Sequence, residues 1–307
     1  MAFVTRFAPS PTGPLHLGHA YSALLAHDMA RAEGGKFLLR IEDIDRSRSK
    51  PEWESQIYDD LQWLGIWWEE APQRQSDRLA DYSKALDDLW LRGLIYPCRC
   101  TRRDIETALS APQEGAEIPV GPDGMIYPGT CRSEMSYERS IPKNYPRPSD
   151  ASLRLDLGSI ADSRVFERRI DSANGGWHWY ASYRETGMGS NGESGRIEFS
   201  PEDLQKEVGD FVIARHGMGT SYHLSVVLDD AAQGVTHVVR GADLFEATRI
   251  HVFLQRLLNL PTPTYHHHRL IRDDTGKRLA KRDDARALSK YRAEGATPAD
   301  IRRMVGL

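Results

Sequence analysis

The stretch RFAPSPTGPLHLGHAYSALLAHDMARAEGG, from Arg6 to Gly35, decides the fold of this chain. Three closely spaced prolines end the β-prone run FVTRFA, and an amphipathic pattern then predicts a helix from about Leu17 to Ala32. Two glycines stop the helix, and KFLLRIE, nearly continuous in apolar character, predicts a buried parallel strand over Lys36–Glu42. A strand, a helix and a second strand in this order form a βαβ unit.

Beyond this unit the pattern changes twice. Helices are predicted over about Pro51–Leu64 and Asp77–Arg92. Residues 112–200 are rich in Pro, Gly, Ser and Asn and weak in periodicity, although SLRLDLG and GWHWYASY favour strands and GMGSNGESG favours a loop. GDFVIAR, HLSVVLDD and THVVRG then predict strands, and DLFEATRIHVFLQRLLNL predicts an amphipathic helix.

An α/β pattern that opens, is interrupted and resumes predicts an α/β fold built on a split Rossmann-type domain. We assign residues 1–95 to the first half of this domain and residues 96–200 to an inserted subdomain. Residues 201–262 form the second half, and residues 263–307 form a loop and a short helical tail.

Bulk composition narrows the class of protein. The 307 residues are enough to bury a core without disulfides, and no apolar run has the length of a signal peptide or a membrane span. We therefore expect a soluble, cytoplasmic, monomeric protein with no membrane partner. Three cysteines in such a chain are typical of free thiols or metal ligands rather than of a disulfide framework.

Charge is distributed unevenly along the chain. The net charge of −4 gives no general sign of nucleic-acid binding. The segment from Arg269 to Leu307 nevertheless holds 11 Lys and Arg against 6 Asp and Glu, which is +5, so the remaining residues sum to −9. A basic tail on an acidic body is suited to a phosphate backbone. The alternative is a solvated helical face, which composition alone slightly favours.

His16 and His19 stand where the first helix begins. At positions i and i+3 they share one face of the first turn, where free N–H groups and the helix dipole attract phosphates. Gly18 between them has no Cβ, so a flat imidazole can lie against the backbone. Taken alone, this pattern is more often two ordinary polar residues near a helix start.

Other motifs accompany the histidines. The chain has no Walker A pattern, but GKRLAKR, residues 276–282, is a compact basic loop whose lysine can close over bound phosphates. In order along the chain, RFAPSPTGPLHLGH, LRIEDIDRSR, GDFVIAR, THVVRGADLFEAT and KRLAKR together resemble the class I glutamyl-tRNA synthetases. The resemblance covers most of the chain, except roughly residues 133–200. It implies that the inserted residues 96–200 form an acceptor-binding and zinc subdomain.

In this resemblance HLGH matches the HIGH signature and RLAKR the KMSKS signature. It implies that ATP, with Mg²⁺, is bound and that the transition state of adenylate formation is stabilised by His16, Gly18, His19, Lys281 and Arg282. The usual serine of the second signature is Ala280 here. We expect this departure to weaken closure of the loop without abolishing it.

The resemblance also implies a pocket for L-glutamate. Glu42 matches the carboxylate that takes the α-amino group, and Tyr222 matches a pocket tyrosine. A guanidinium grips a carboxylate bidentately, and Arg6 and Arg240 match the arginines of the pocket. One wall is formed by Arg6, Phe7, Ala8, Pro9 and Ser10. Each of these charged residues, taken singly, is more often part of a surface ion pair.

The cysteines lie in CRC, with Cys98 and Cys100, and in YPGTC, with Cys131. Three thiolates and one further ligand make a tetrahedral structural Zn²⁺ site. Related members use a tyrosine four residues before the last cysteine, and Tyr127 matches it. The alternative is three buried free thiols. YHHHR also suggests a metal, but it lies where the family has a strand, and we expect no metal there.

Only 25 residues follow Arg282, enough for two short helices of about 11 residues each. We therefore expect the large anticodon-binding region of conventional members to be absent. This resembles the truncated members of the family, which attach glutamate to the queuosine base in the anticodon loop of tRNA(Asp). The alternatives are a truncated or split conventional glutamyl-tRNA synthetase and a non-catalytic, synthetase-like RNA-binding protein.

Overall fold

The computed structural model describes residues 2–110, 118–134, 144–160, 165–170, 176–272 and 286–307. The α-helices in these residues are α1 (Leu17–Ala32), α2 (Pro51–Trp63), α3 (Leu79–Leu91), α4 (Arg102–Ser110), α5 (Thr130–Glu134), α6 (Pro201–Glu207), α7 (Tyr222–Ala232), α8 (Thr248–Leu257), α9 (Leu288–Ala293) and α10 (Pro298–Val305). None of these helices has both the length and the apolar character needed to cross a lipid bilayer.

The β-strands of the same residues are β1 (Val4–Phe7), β2 (Lys36–Ile41), β3 (Gln73–Arg74), β4 (Ile95–Cys98), β5 (Val120–Gly121), β6 (Gly124–Met125), β7 (Ser152–Leu155), β8 (Glu167–Ile170), β9 (Trp177–Glu185), β10 (Gly195–Phe199), β11 (Val212–Ala214), β12 (His237–Gly241) and β13 (Thr264–His268).

The predicted βαβ unit is confirmed. β1 pairs in parallel with β2, with Arg6 opposite Leu38, and α1 connects the two strands. Gly34 has a φ of 60°, and a Cβ on Gly35 would lie 2.1 Å from the carbonyl oxygen of Phe3. The two glycines are therefore required for the helix to end and for the chain to pass close to β1.

β1 also contacts β12, which belongs to the second predicted half. Thr236 donates its backbone N–H to the carbonyl oxygen of Val4 over 3.0 Å, and its hydroxyl accepts the backbone N–H of Val4 over 2.8 Å. β1 lies beside β12 and so places two sheets edge to edge, one of β1, β2 and β3 and the other containing β12 and β13, in the spatial order β3-β2-β1-β12-β13. The order reverses between β1 and β12, and ligands of such sheets bind at the carboxyl ends of the strands there. The α/β fold is confirmed, and the predicted domain bounds stay predictions.

The residues between the two halves form smaller antiparallel sheets. β4, β7 and β11 make one sheet, and β5 and β6 make a two-stranded ribbon. β8 and β10 each pair antiparallel with β9, and β9 joins β13 through one parallel pair, Glu185 and Tyr265. The strands predicted from SLRLDLG and GWHWYASY are confirmed as β7 and β9.

One predicted strand is wrong. HLSVVLDD lies in the helix α7, not in a strand. The hydroxyl of Ser221 accepts the backbone N–H of Leu224 over 3.3 Å and caps this helix. α7 is buried on nearly all sides, so its apolar run lacks the 3.6-residue period that identifies an amphipathic helix. Without that period, its two adjacent valines favoured the prediction of a strand, because β-branched residues are enriched in strands.

The two short helices predicted for the tail are confirmed as α9 and α10. Arg302 forms an ion pair with Asp28 of α1 over 2.6 Å, and Arg292 forms one with Asp59 of α2 over 2.7 Å. Two further arginines of the tail pair with carboxylates within it. In the described residues, the positive charge of the tail is therefore largely matched, and the two helices dock on the body of the protein.

Candidate active site

Two histidines cap the first turn of α1. The Nδ1 atom of His16 accepts the backbone N–H of Gly18 over 3.1 Å, and the Nδ1 atom of His19 accepts the backbone N–H of His16 over 3.2 Å. Their ring centroids lie 3.8 Å apart. A ring nitrogen that accepts a hydrogen bond carries no proton, so each neutral imidazole holds its proton on Nε2. The pair therefore presents N–H donors at the positive end of a helix, which suits a phosphate.

Gly18 is required by this arrangement. A Cβ at this position would lie 3.0 Å from Cε1 and 3.1 Å from Nδ1 of His16. The imidazole thus lies flat against the backbone, as the sequence predicts for a residue without a Cβ.

The chain returns to the histidines near its C-terminal end. Ala287 forms a β-bridge with His16, and Leu288 donates its backbone N–H to the carbonyl oxygen of Leu15 over 2.8 Å. The residues predicted for the second signature lie outside the described part of the chain: Ala280, Lys281 and Arg282.

Arg240, near the carboxyl end of β12, is buried among neutral hydrogen-bond acceptors. Its Nε donates to Nε2 of His267 over 3.1 Å, its Nη1 donates to Nδ1 of His251 over 2.9 Å, and its Nη2 donates to the hydroxyl of Thr248 over 2.8 Å. Burial is the main reason that the pKa of both histidines lies below the usual 6.5, so both imidazoles are neutral. Among the described residues, Arg240 has no carboxylate within ion-pair distance. Its buried positive charge is therefore suited to an anionic ligand.

Glu185 sets the tautomer of His267. Its Oε2 lies 2.6 Å from Nδ1 of His267, so this nitrogen donates and leaves Nε2 to accept from Arg240. The Oε1 atom of Glu185 accepts the backbone N–H groups of Gly187 and His267 over 2.7 Å and 2.9 Å. The carboxylate is thus satisfied without direct contact with the guanidinium.

Arg6, at the carboxyl half of β1, has a carboxylate partner. Its Nε donates to Oδ1 of Asp230 over 3.0 Å, and Nη1 of Arg40 donates to the same oxygen over 2.5 Å. Arg40 also donates to Oε1 of Glu42 over 3.3 Å. Burial opposes ionisation of Asp230, but the charges of Arg6 and Arg40 outweigh it and lower the pKa of this carboxyl. The ion pairs of Arg6 are therefore complete within the protein.

Glu42 lies near Arg40 and Arg6, and Tyr222 lies near Arg240 and Arg6. Burial raises the pKa of Glu42, although the charges of Arg40 and Arg6 act against it. Such a carboxylate gains from a further cation, for example an ammonium group. The Tyr222 side chain is 37% exposed, yet its hydroxyl end lies deep enough for burial to raise its pKa, and the charges of Arg240, Glu42 and Arg6 reach it. The four polar residues predicted for one pocket therefore lie together.

The predicted wall follows the end of β1. The side chain of Phe7 is 7% exposed and belongs to the hydrophobic cluster under α1, so a ligand can meet only its backbone. The carbonyl oxygen of Pro9 accepts the backbone N–H of Glu42 over 3.0 Å. Ala8 and Ser10 are partly exposed on either side of the buried Pro9. The wall is thus tied directly to the strand end that carries Glu42.

A cavity of about 710 Å³ opens at the carboxyl ends of β12 and β13. Its lining includes Tyr21 from α1, Asp243 from the turn after β12, and Leu270 and Arg272 from the segment after β13. A loop of residues 186–190 closes one side. This volume and this mixture of apolar and charged groups suit a nucleotide-sized ligand.

Three thiols and one phenol meet between β4 and α5. The Sγ atoms of Cys98, Cys100 and Cys131 all lie within 4.8 Å of one another. The hydroxyl oxygen of Tyr127 lies 3.5 Å from Sγ of Cys98 and 3.4 Å from Sγ of Cys100. Sulfur ligands of a tetrahedral ion at about 2.3 Å lie about 3.8 Å apart, so the cluster has the spacing that such an ion needs.

Arg154 stands over this cluster. Its guanidinium carbon lies 3.8 Å from the centroid of the Tyr127 ring, and its Nε donates to Sγ of Cys98 over 3.3 Å. Hydrogen bonds from Tyr127 and Arg154 outweigh burial and lower the pKa of Cys98, which favours its thiolate, the form that binds metals. Burial raises the pKa of Cys100 to about 11 and also raises the pKa of Tyr127.

Most of the chain matches one family of known proteins. Residues 2–120 and 188–307 match the family described as tRNA synthetases class I (E and Q), catalytic domain. The chain belongs to this family of class I tRNA synthetases.

Relatives of this class I synthetase carry a more specific name. The present chain is 62% identical to the Glutamyl-Q tRNA(Asp) synthetase of Rhodobacter capsulatus, over 99% of this chain and 100% of that protein. It is 38% identical to the Glutamyl-Q tRNA(Asp) synthetase of Nitratidesulfovibrio vulgaris, over 96% of this chain and 83% of that protein.

A solved structure shares the fold of this synthetase. The glutamate-tRNA synthetase from Elizabethkingia anophelis superposes with a TM-score of 0.70 at 22% sequence identity. The match covers 100% of the present chain and 61% of that chain.

Several polar residues of the synthetase site were not predicted from its sequence. Asp230 and Arg40 hold Arg6 and Glu42, while His251 and His267 hold Arg240. The two adjacent aspartates of LDD could have indicated Asp230. The segment was predicted to be a strand, however, and so the position of Asp230 on α7 could not be predicted. The three adjacent histidines of β13 also gave a signal, because a polar run on a buried parallel strand needs internal partners.

Proposed function

We propose that this synthetase activates L-glutamate with ATP and transfers it to the queuosine base in the anticodon loop of tRNA(Asp). The observation that carries the proposal is the buried guanidinium of Arg240, which lacks a carboxylate partner among the described residues. Its charge and that of Glu42 both reach Tyr222, so Tyr222 connects the two charged groups. The names of the relatives from Rhodobacter capsulatus and Nitratidesulfovibrio vulgaris support the same activity.

Glutamate offers the charges that this pocket lacks. One carboxylate of the amino acid supplies the anion that balances the buried charge of Arg240. The α-ammonium group supplies a cation for Glu42, whose pKa is raised by burial. Arg6, already paired with Asp230, acts as a fixed positive charge at the edge of the pocket. The pocket thus selects a short molecule with one cationic and one distant anionic group.

ATP lies with its phosphates at the first turn of α1 and its nucleoside in the cavity that Asp243 and Leu270 line. The Nε2–H groups of His16 and His19 donate to phosphate oxygens as the glutamate carboxylate attacks the α-phosphorus, the bond from that phosphorus to the bridging oxygen breaks, and pyrophosphate leaves. Their tautomers are set before ATP arrives, so no reorganisation is needed when charge develops. Mg²⁺, when bound with ATP, would neutralise phosphate charge. We assign Lys281 and Arg282 to the same role.

Cys98, Cys100, Cys131 and Tyr127 hold a structural Zn²⁺ in this proposal. The fit rests on their mutual distances and on Arg154, whose hydrogen bond favours the thiolate of Cys98. Four protein ligands leave no open position for water, so the ion stabilises the fold around α5 and takes no part in the chemistry. We also propose that the protein is cytoplasmic and acts as a monomer.

The glutamate-activation step is tested by ATP–pyrophosphate exchange without RNA. We expect exchange with glutamate and little with glutamine or aspartate, because the pocket needs an anionic side chain of one length. Exchange that requires tRNA, or that prefers glutamine, contradicts this part of the proposal.

The acceptor is tested separately. We expect labelled glutamate to attach to a hairpin with the queuosine-containing anticodon loop of tRNA(Asp), and not to the same hairpin with guanine in place of queuosine. Charging of tRNA(Glu) at its 3′ end without any transfer to the hairpin identifies a conventional glutamyl-tRNA synthetase instead.

The zinc site is tested by metal analysis of the purified protein. We expect Cys98→Ser to lose metal and thermal stability together, because the free energy of ligation is partly folding free energy. Tyr127→Phe keeps the three thiols and removes only the fourth ligand. We therefore expect this variant to bind zinc, but with a lower affinity than the wild-type protein. A well-folded wild-type protein with less than half an equivalent of zinc contradicts the site.

A further inference from the structure

We propose that the antiparallel ribbon of β8, β9 and β10 is an RNA-binding surface that stacks unpaired bases between Trp177 and Trp179. This inference deepens the proposed function, on which it rests only for the choice of tRNA as the RNA. The family match leaves out residues 121–187, so the family's catalytic core does not account for β8 or for these tryptophans.

The ribbon exposes one apolar face. Trp177 is 55% exposed, Trp179 is 39% exposed and Ile170 is 54% exposed. Ile170 lies directly opposite Trp177 in the register, so the three side chains share a face. Further along the same face of β9, Ala181 and Tyr183 are buried in the main hydrophobic core. The face therefore extends beyond the core of the protein into solvent.

The two tryptophans have the spacing of a base-binding slot. Residues i and i+2 of a strand lie about 6.6–7 Å apart on one face, which is about twice the thickness of an aromatic ring. The guanidinium of Arg168 lies 4.0 Å from the ring centroid of Trp177 and 5.9 Å from that of Trp179. A planar cation thus already stacks where a base can stack. When a base enters, the guanidinium is released to a neighbouring phosphate.

The other face of the ribbon favours an anionic partner. Arg184 of β9 lies directly opposite Arg196 of β10. Like charges at such positions destabilise a sheet unless an anion lies near. Arg196 pairs with Glu198 over 2.9 Å, whereas Arg184 makes no ion pair within the described residues. Both arginines line a cavity of about 760 Å³.

A second copy of this chain is a poorer occupant of the tryptophan face. The exposed parts of two tryptophans and one isoleucine amount to an apolar area on the order of 300 Å². A stable interface between subunits buries about 800 Å² on each partner. Base stacking needs no such area, because one base between two rings contributes the main interaction.

The test measures the Kd of an unmodified tRNA(Asp) transcript for the full-length protein by fluorescence anisotropy. We expect the double variant W177A/W179A to bind on the order of tenfold more weakly than wild type, the scale of one lost base–aromatic stack. W177F/W179F keeps flat rings and should stay within about twofold of wild type. The matched control is Trp67→Ala, since Trp67 is 56% exposed and lies under Arg31 at 5.5 Å, away from the ribbon.

ATP–pyrophosphate exchange with glutamate is measured on every variant and should not change, because none of these residues lies in the pocket. Equal binding by wild type and W177A/W179A overturns the proposal, as does an equal loss in the phenylalanine variant or in Trp67→Ala. A wild-type dimer that becomes monomeric in W177A/W179A shows that the face binds a second copy, and also overturns it. Failure of transfer to queuosine leaves the difference in tRNA binding intact, so the two proposals fail separately.

Discussion

Arg6 and Arg240 are buried arginines beside the same pocket, yet their surroundings differ in charge. Arg6 lies against Asp230, which Arg40 also contacts, so cations and carboxylates alternate around it. Arg240 instead donates to two neutral histidines and a threonine. A buried charge that is matched internally mainly holds the fold, whereas one that is left unmatched is available to a ligand. The difference separates the region that builds the pocket from the region that binds in it.

The largest expected effect follows from removing the unmatched charge. Arg240→Gln should lower kcat/KM for glutamate in pyrophosphate exchange by about 150- to 900-fold, which corresponds to about 3–4 kcal/mol of transition-state stabilisation, because a buried charge pair with the substrate is lost. It should cost only about 1 kcal/mol of stability, because its partners in the protein are neutral. A large loss of stability with unchanged exchange would reverse the roles we assign to the two arginines.

Removing the matching carboxylate should show the opposite pattern. Asp230→Asn leaves Arg6 and Arg40 buried without this anion and should lower the free energy of unfolding by about 3 kcal/mol in urea denaturation. The control is Asp59→Asn, because Asp59 also pairs with an arginine but is 65% exposed. Surface pairs of this kind contribute about 0–1 kcal/mol. Equal losses in the two variants would show that burial does not strengthen the Asp230 pairs.

Tyr222 should contribute less than either charge. Tyr222→Phe removes one hydroxyl that the charges of Arg240 and Glu42 reach, and we expect KM for glutamate to rise about three- to tenfold with little change in thermal stability. Tyr58→Phe is a suitable control, because its hydroxyl donates to Glu54 away from the pocket. A change in kcat alone would place the phenol at the reacting atoms and not at the ligand's binding groups.

The smallest expected effect is on the pH dependence of stability, which should differ between the surroundings of Arg240 and those of Arg6. His251 and His267 are neutral because burial lowers their pKa below 6.5, so their stability contribution is fully present above pH 6.5. It is lost as the pH falls below 6.5, because the unfolded chain takes up protons first. The pKa of Asp230 is lowered, so the stability that its carboxylate contributes is fully present above the usual pKa of 3.8. That stability is lost only as the pH falls below this value.

His251→Gln should therefore make the fall in unfolding free energy from pH 7 to pH 5 shallower by about 1 kcal/mol. Asp230→Asn should leave that slope unchanged, and equal slopes in wild type and His251→Gln would contradict a neutral His251.

Much of the architecture could be predicted because it depends on local patterns. The first helix was located to the residue, since the prolines before it and Gly34 after it are strong local signals. The cluster of Cys98, Cys100, Tyr127 and Cys131 could be predicted from motif spacing. The segment HLSVVLDD could not, because a helix buried on all sides has lost the periodicity that distinguishes it from a strand.

The sequence by itself determined the βαβ entry, the order of the motifs and the chemical types of the pocket residues, because all of these follow from short-range spacing. Only the tertiary structure decided which buried arginine is matched. Asp230 of α7 reaches Arg6 only after β1 and β12 come together at Thr236, and His267 reaches Arg240 only after β13 pairs with β12. Charge compensation in a low-dielectric interior depends on distances of about 3 Å between residues far apart in the chain, and no local pattern contains those distances.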